Sequence, residues 1–195
     1  MAWIEPVTLT GTHVVLEPAA DHHLADLFEA SRDELVWAWL PWRRPQTEDE
    51  LAALLEAERT VALPFAQLER ASGRAVGITT FRDVDERHRT LEVGGTWLGR
   101  PWWRTAINTE AKLLFLGHAF ETLRANRVAL KTDIRNERSQ AAIARLGAVR
   151  EGVLRRQYIR PDGTLRDTVM FSIVPDEWPQ VRATLLARLA AHAGA

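Results

Sequence analysis

The stretch Trp97-Leu-Gly-Arg-Pro-Trp-Trp-Arg-Thr-Ala-Ile-Asn-Thr-Glu-Ala-Lys-Leu-Leu-Phe-Leu-Gly-His-Ala119 reads as a strand end, a tight loop and a long helix. Leu113, Leu116, Phe120 and Leu123 recur at spacings of three, four and three, one face of a helical period. Asn108 and Thr109 are both able to cap the helix start, with Glu110 in the first turn. A strand that feeds a helix N-terminus across a short loop leaves free backbone N–H groups and the positive end of the helix dipole pointing outward. The stretch therefore predicts an anion site of the kind that holds the pyrophosphate of a nucleotide-like molecule.

Immediately upstream, Thr90 to Leu98 alternates as a strand, with Leu91, Val93, Gly95 and Trp97 on one face and Glu92, Gly94 and Thr96 on the other. The adjacent glycines mark a bulge or a close backbone approach. Downstream, Arg127 to Thr132 is a further strand, and Asn136-Glu-Arg-Ser139 opens a short helix, Gln140 to Leu146, that Gly147 ends. Val149 to Ile159 and Leu165 to Val174 form a hairpin across Arg160-Pro-Asp-Gly163, and Asp176 to His192 is a terminal helix with a kink expected at Pro179.

Toward the N-terminus, Val7 to Glu17 is a strand or hairpin, and Asp21 caps a helix carrying Leu24, Leu27, Phe28 and Leu35. Trp37-Ala-Trp-Leu-Pro-Trp42 suits either a packed aromatic corner or the wall of a substrate cleft. Thr47 and Glu50 make a capping box for a helix to Thr60, and Pro64 to Glu69 and Ala75 to Arg82 are strands joined by a turn. The order β-α-α-β-β-β-α-β-α-β-β-α gives an α+β or mixed α/β sheet.

With 195 residues and no repeat or linker, residues 1–195 are read as one domain. A formal net charge of −1 argues against nucleic-acid or membrane-surface partners. The absence of cysteine excludes disulfides, thiolate metal sites and a cysteine nucleophile. Met1 to Pro6 has no basic segment leading an apolar run, and no apolar run approaches the roughly 20 residues that span a bilayer, so a cytoplasmic location is expected. The six histidines lack metal-ligand spacing, and no metal is expected.

Taken in order, these residues resemble the GCN5-related N-acetyltransferase (GNAT) superfamily, and within it the RimJ/RimL-like ribosomal-protein branch. The resemblance runs through Trp39-Leu-Pro-Trp42, Leu91-Glu-Val-Gly-Gly-Thr-Trp-Leu98, Asn108-Thr-Glu-Ala111, Asn136-x-x-Ser139 with Leu146-Gly147, Glu151-Gly152, Pro161-Asp-Gly163, Asp167 and Asp176-Glu-Trp178. It implies a mixed sheet of about seven strands flanked by helices and splayed between the fourth and fifth, with acetyl-CoA as co-substrate. The superfamily's Gln/Arg-x-x-Gly-x-Gly/Ala loop falls on Trp103, Ala106 and Asn108, all three departures from the pattern.

The resemblance assigns the CoA contacts to Trp97, Leu98, Arg100, Arg104, Thr105, Ala106, Ile107, Asn108, Thr109 and Asn136, with backbone N–H groups around Trp97 and Leu98 as oxyanion donors. Acyl transfer to an amine also needs a base. Glu92, on the face opposite Trp97, is the leading candidate, and Asp133 a weaker one. The tyrosine that protonates the thiolate in many relatives is Ile143 here, so Ser139 is the substitute the resemblance implies. Trp37, Trp39 and Trp42 are the candidate acceptor contacts. The implied activity is acetyl transfer to a primary amine, on a small molecule or a protein N-terminus. The alternatives are an acyl-CoA-binding module without turnover and a transferase for a bulkier acyl-CoA such as succinyl-CoA. A homodimer through the C-terminal hairpin fits the branch.

Overall fold

Three helix starts show how local chemistry lays out the chain. Thr47 accepts the N–H of Glu50 at 3.2 Å to open α2 (Glu48–Arg59), and Asn136 accepts the N–H of Ser139 at 3.1 Å to open α4 (Glu137–Ala144). For α3 (Ala106–Gly117) the cap is Thr105, whose hydroxyl accepts the N–H of Ile107 at 3.4 Å. This corrects the expected start at Asn108 and Thr109, which lie inside the helix.

The computed structural model describes residues 3–193. The other elements are β1 (Leu9–Thr10), β2 (Val14–Pro18), α1 (Leu24–Ala30), β3 (Leu63–Glu69), β4 (Ala75–Asp85), β5 (Thr90–Leu98), β6 (Arg127–Asp133), β7 (Val149–Ile159), β8 (Leu165–Ile173) and α5 (Trp178–Ala193). The strands form one sheet in the order β1-β2-β3-β4-β5-β6-β8-β7, and β5–β6 is its parallel pair among antiparallel neighbours. Counting the first hairpin as two strands takes the expected seven to eight. No helix among the described residues is long and apolar enough to cross a membrane.

Helices cover both faces. On one, Phe65, Phe81 and Phe115 pack together, with Phe81 stacked on Phe115 at 4.0 Å, and Val181 and Leu185 of α5 complete the layer. On the other, Leu27, Leu51 and Leu55 of α1 and α2 pack on Ala66, Ile78 and Trp97. Burying each such side chain contributes roughly 1.5–3 kcal/mol. The buried stripe of α3 runs through Ile107, Ala111, Phe115 and Leu116, while Leu113 and Leu123 are only partly buried. α3 packs against both the sheet and α5, so its apolar face is wider than the Leu113–Leu123 spacing suggests.

Two further expectations are corrected. The first helix begins as a 3-10 turn at Asp21–His23 with Ala20 at the cap position, because the Nδ1 atom of His23 accepts the Ala20 N–H. Leu35 lies outside it, exposed in a second 3-10 turn. Pro179 does not kink α5: it sits in the first turn, where a missing N–H costs no helical bond.

The position of α3 depends on a contact that is remote in sequence. Glu110 is buried, and its carboxylate accepts the backbone N–H groups of Thr12 (2.8 Å), His13 (2.5 Å) and Val14 (2.8 Å). One helical side chain thus satisfies three donors of the first hairpin. Glu110→Ala leaves them without that acceptor and is expected to lower stability by about 3 kcal/mol, read as a fall in urea midpoint with unchanged slope.

Candidate active site

The β5–β6 pair is joined at only three positions, Thr90↔Arg127, Leu91↔Val128 and Glu92↔Ala129. β5 then runs on to Leu98 and β6 to Asp133 without pairing to each other, which is the expected splay. Its cause lies on the other side of β5. Ile78 pairs with Trp97 but Thr80 pairs with Gly94, so three steps of β5 oppose two of β4. Gly95, at φ +58°, takes up the extra residue in a backbone region that favours glycine.

The bulge also shifts the side-chain alternation. Leu91 and Val93 join the core under α3 and α5, whereas Trp97 joins the one under α1 and α2. Trp97 therefore shares the face of Glu92, contrary to the strict alternation expected of an unbroken strand. On this face the splayed half of the sheet is charged: Glu92 from β5, Lys131 and Asp133 from β6, and Arg166 from β8.

Glu92 occupies the last paired position at the apex of the opening. It is 2% exposed, and its carboxylate lies over Gly94, where a Cβ would come within 2.3 Å of Oε1. Lys131 Nζ contacts Glu92 Oε2 at 2.8 Å. Burial pushes the Glu92 carboxyl above its ordinary value, with Lys131 opposing. Burial would lower Lys131, but the Glu92 carboxylate and Tyr158 hold it protonated, above the usual lysine range. Arg82, opposite Glu92 in register, is committed to Glu58 at 2.6 Å.

Asp133 is buried too, but it is spoken for. Arg160 Nε donates to it at 2.7 Å and the Arg135 N–H at 2.9 Å. Burial raises its pKa, but these donors outweigh that and the net shift is downward, which makes Asp133 a weaker base than an ordinary carboxylate.

The backbone of β5 separates the two candidate oxyanion donors. The Gly99 N–H donates to Val76 O on β4, and Trp97 O accepts from the Gln67 side chain at 3.2 Å on that same side. Strand alternation then turns the Leu98 N–H the other way, into the opening. Of the two candidates, Leu98 is the one whose N–H faces the opening. Trp97, whose ring packs 5.6 Å from that of Trp37, belongs to the core.

At the wide end of the opening stands the N-terminus of α3. Trp103 holds two guanidinium groups over its ring, Arg100 at 4.4 Å and Arg138 at 4.0 Å. Burial lowers the pKa of Arg138, and the charges of Arg100 and Arg104 lower it further. Among the described residues, the one carboxylate ion-paired with this trio is Asp33, 3.9 Å from Arg100. Three crowded cations beside free helical N–H groups make a fitting cradle for a pyrophosphate. Thr105 and Asn108 are exposed there, and Ala106, Ile107 and Thr109 are buried in the helix face. The Trp103–Arg138 contact brings the first turn of α4 beside this loop, with half-buried Ser139 and buried Asn136 on it.

On the Glu92 face, a cleft of about 320 Å³ lies between the tryptophan corner and the tip of the β7–β8 hairpin. The three tryptophans line it with different roles. Trp37 is 5% exposed, its Nε1 donating to Ser31 O at 2.7 Å, so it is chiefly the packed corner. Trp39 and Trp42 are half-buried and form the wall.

Sequence reading missed Lys131, Tyr158, Arg166 and Lys112. For two of these the sequence does carry a signal, although it assigns them no role: Lys112 and Lys131 are the only lysines among 25 basic residues, and both are drawn to this strand. The histidine spacing suggested no ligand set, yet Glu17, His22 and His23 converge within 4.8 Å. Both ring nitrogens of His23 are engaged there, Nδ1 by Ala20 and Nε2 by Glu17 at 2.7 Å.

Comparison with known proteins gives this geometry a family. Residues 13–149 match the family described as "Acetyltransferase (GNAT) domain". The Bacillus subtilis (strain 168) protein named "Putative ribosomal N-acetyltransferase YdaF" is 31% identical over 106 residues, 54% of this chain and 57% of that protein. The crystal structure of a GCN5-related N-acetyltransferase from Brucella melitensis is 30% identical and superposes with a TM-score of 0.91 over 96% of this chain and 87% of the other. Mycobacterium smegmatis RimJ, solved in complex with CoA-disulfide, shares the fold with a TM-score of 0.80 over 94% and 95% of the chains at 23% identity. The resemblance to the family is borne out.

Lys112 supplies a test of the core beneath β5. It is buried, its Nζ donates to Thr96 Oγ1 at 3.0 Å, and burial lowers its pKa from 10.5 to about 8. The unfolded chain then binds more protons than the folded one between about pH 8 and 10.5, so this group makes stability rise with pH across that window. NMR of the two labelled lysine side chains is expected to show one titrating near pH 8 and the other well above it. Lys112→Met should flatten the rise and raise the melting temperature at pH 7.

Proposed function

The chain belongs to the GNAT acetyltransferase family, and we propose that it transfers an acetyl group from acetyl-CoA to a primary amine by direct attack within the β5–β6 opening. The observation that carries this reading is the break in the sheet itself, with the buried carboxylate of Glu92 at its apex and the cationic α3 N-terminus at its wide end; a tryptophan-walled cleft lies against the end of β6 on the Glu92 face. Residues 1–195 act as one domain in this reading, organised on the continuous sheet.

Bound acetyl-CoA supplies the activated acyl carbon. Arg100, Arg104 and Arg138, with the N–H groups opening α3, hold its phosphates, and Asn136 fixes the neighbouring turn of α4. The Leu98 N–H, in the opening, stabilises negative charge on the thioester oxygen. Glu92 takes a proton from the substrate ammonium, directly or through water, so that the neutral amine attacks, and its raised pKa brings it closer to that task. The C–N bond forms and the C–S bond breaks, the proton shed by the acylated nitrogen passes to the departing thiolate to give the thiol, and the Ser139 hydroxyl hydrogen-bonds that sulfur. Ile143 is buried in the core and offers no proton.

The acceptor is a small-molecule amine or a protein N-terminus, the latter supported by the ribosomal N-acetyltransferase in the name of YdaF. A homodimer accords with the free β7 edge, which exposes Val149, Leu154 and Ile159, and a cytoplasmic location is part of the same proposal.

Calorimetry with acetyl-CoA together with thiol release over an amine panel tests the assignment. Binding with turnover is the expected result, and binding without turnover across the panel would reduce the chain to an acyl-CoA-binding module. Glu92→Gln is expected to lower kcat by about a hundredfold or more and to remove an acid limb from the kcat–pH profile. Lys131→Met should move that limb to higher pH, because loss of the neighbouring cation disfavours the carboxylate. Arg138→Ala should weaken acetyl-CoA binding with little change in the position of the limb.

A further inference from the structure

Arg166 on β8 faces the cleft and is 8% exposed. Its Nε is inaccessible to solvent and has no hydrogen-bond partner, and among the described residues the guanidinium enters no ion pair. A guanidinium offers five donors and no acceptor, and leaving such a group buried and unpaired is costly. The two nearby carboxylates are already taken, Glu92 by Lys131 and Asp133 by Arg160 and Arg135. What remains beside Arg166 is the face of Tyr158, its ring centroid 5.3 Å away.

The surroundings point the same way. Two positions along the same face of β8, the fully buried Thr168 has a hydroxyl oxygen that also lacks a partner. Arg44, across the cleft, carries a second inaccessible and unpartnered Nε. The cleft has five arginines in its lining against three acids, Glu34, Asp133 and Asp162, and Asp133 is already held by Arg160, so its balance of charge favours an anionic ligand. A planar guanidinium fork is best matched by a planar carboxylate that accepts two parallel N–H bonds.

We propose that Arg166 is the recognition site for a carboxylate carried into the cleft by the reacting substrate. The inference rests on the acyl-transfer reading and narrows it: the protein acts on an amine that bears a carboxylate, or it transfers an acyl chain that ends in one. Polyamines and other polycations are thereby disfavoured as acceptors.

Matched pairs test it. In one arm, acetyl-CoA is offered glycine, β-alanine, 4-aminobutyrate, 6-aminohexanoate and the peptide Ala-Asp-amide, each against its amide counterpart. In the other, one neutral amine is offered succinyl-CoA against acetyl-CoA. The wild type is expected to prefer the carboxylate member by about ten- to a hundredfold in kcat/KM in one arm, which also identifies the source. In Arg166→Gln the ratio should collapse toward one, and Arg166→Lys, which keeps the charge without the fork, should retain part of it. Calorimetric binding of the same compounds reads the site without chemistry, so an absence of turnover counts against the acyl-transfer reading while carboxylate preference is still decided. Equal binding and turnover of the paired compounds in both arms, or a preference that survives in a folded Arg166→Gln protein, would overturn the proposal.

Discussion

One extra residue in β5 governs the functional half of this protein. The bulge at Gly94–Gly95 bends the strand away from β6 after Glu92, so the edges that the two strands turn toward each other are left unpaired along the remaining length. Unpaired strand edges inside a sheet are costly unless something else uses them. Here the same irregularity turns the Leu98 N–H into the gap, keeps a buried carboxylate at its apex and carries Trp97 across to the second core. Sheet geometry, side-chain placement and the candidate chemistry therefore share a single cause.

The rest of the fold holds that opening in place. The α3 and α5 layer supports it from below through the stacked phenylalanines, and Glu110 ties α3 to the first hairpin through three backbone bonds. From above, α1, α2 and the tryptophan corner seal one end of the opposite face and leave the charged end open to the cleft. Charges on that face are distributed unevenly. Glu92 and Asp133 are held by Lys131 and Arg160, whereas the arginines at α3 and Arg166 have cationic capacity to spare. A substrate that brings anionic groups at both ends would complete the arrangement.

How much of this was legible beforehand depended on distance along the chain. The limits of Thr90–Leu98 and Val149–Ile159 follow from alternation and turn residues, which are local, and the structure reproduces both spans. The paired glycines announced a bulge, but its effect on side-chain alternation requires knowing the register with β4, so the relation of Glu92 to Trp97 came out reversed. Thr105 was overlooked as the cap because Asn108 and Thr109 are equally good capping residues on composition alone. Glu110 and its partners are separated by up to 98 residues, and no local pattern connects them. Tyr158 and Arg166 look like ordinary strand residues until the hairpin is folded over the tryptophan corner.

The central claim is that the opening between β5 and β6 is where acyl-CoA lies. A crystal structure of the protein with CoA addresses it directly. The account predicts density for the phosphates at Arg100, Arg104 and Arg138, and for the pantetheine arm along β5 within hydrogen-bond reach of the Leu98 N–H, its thiol directed toward Glu92. CoA bound at another surface, with the gap between the two strands left to solvent, would contradict it.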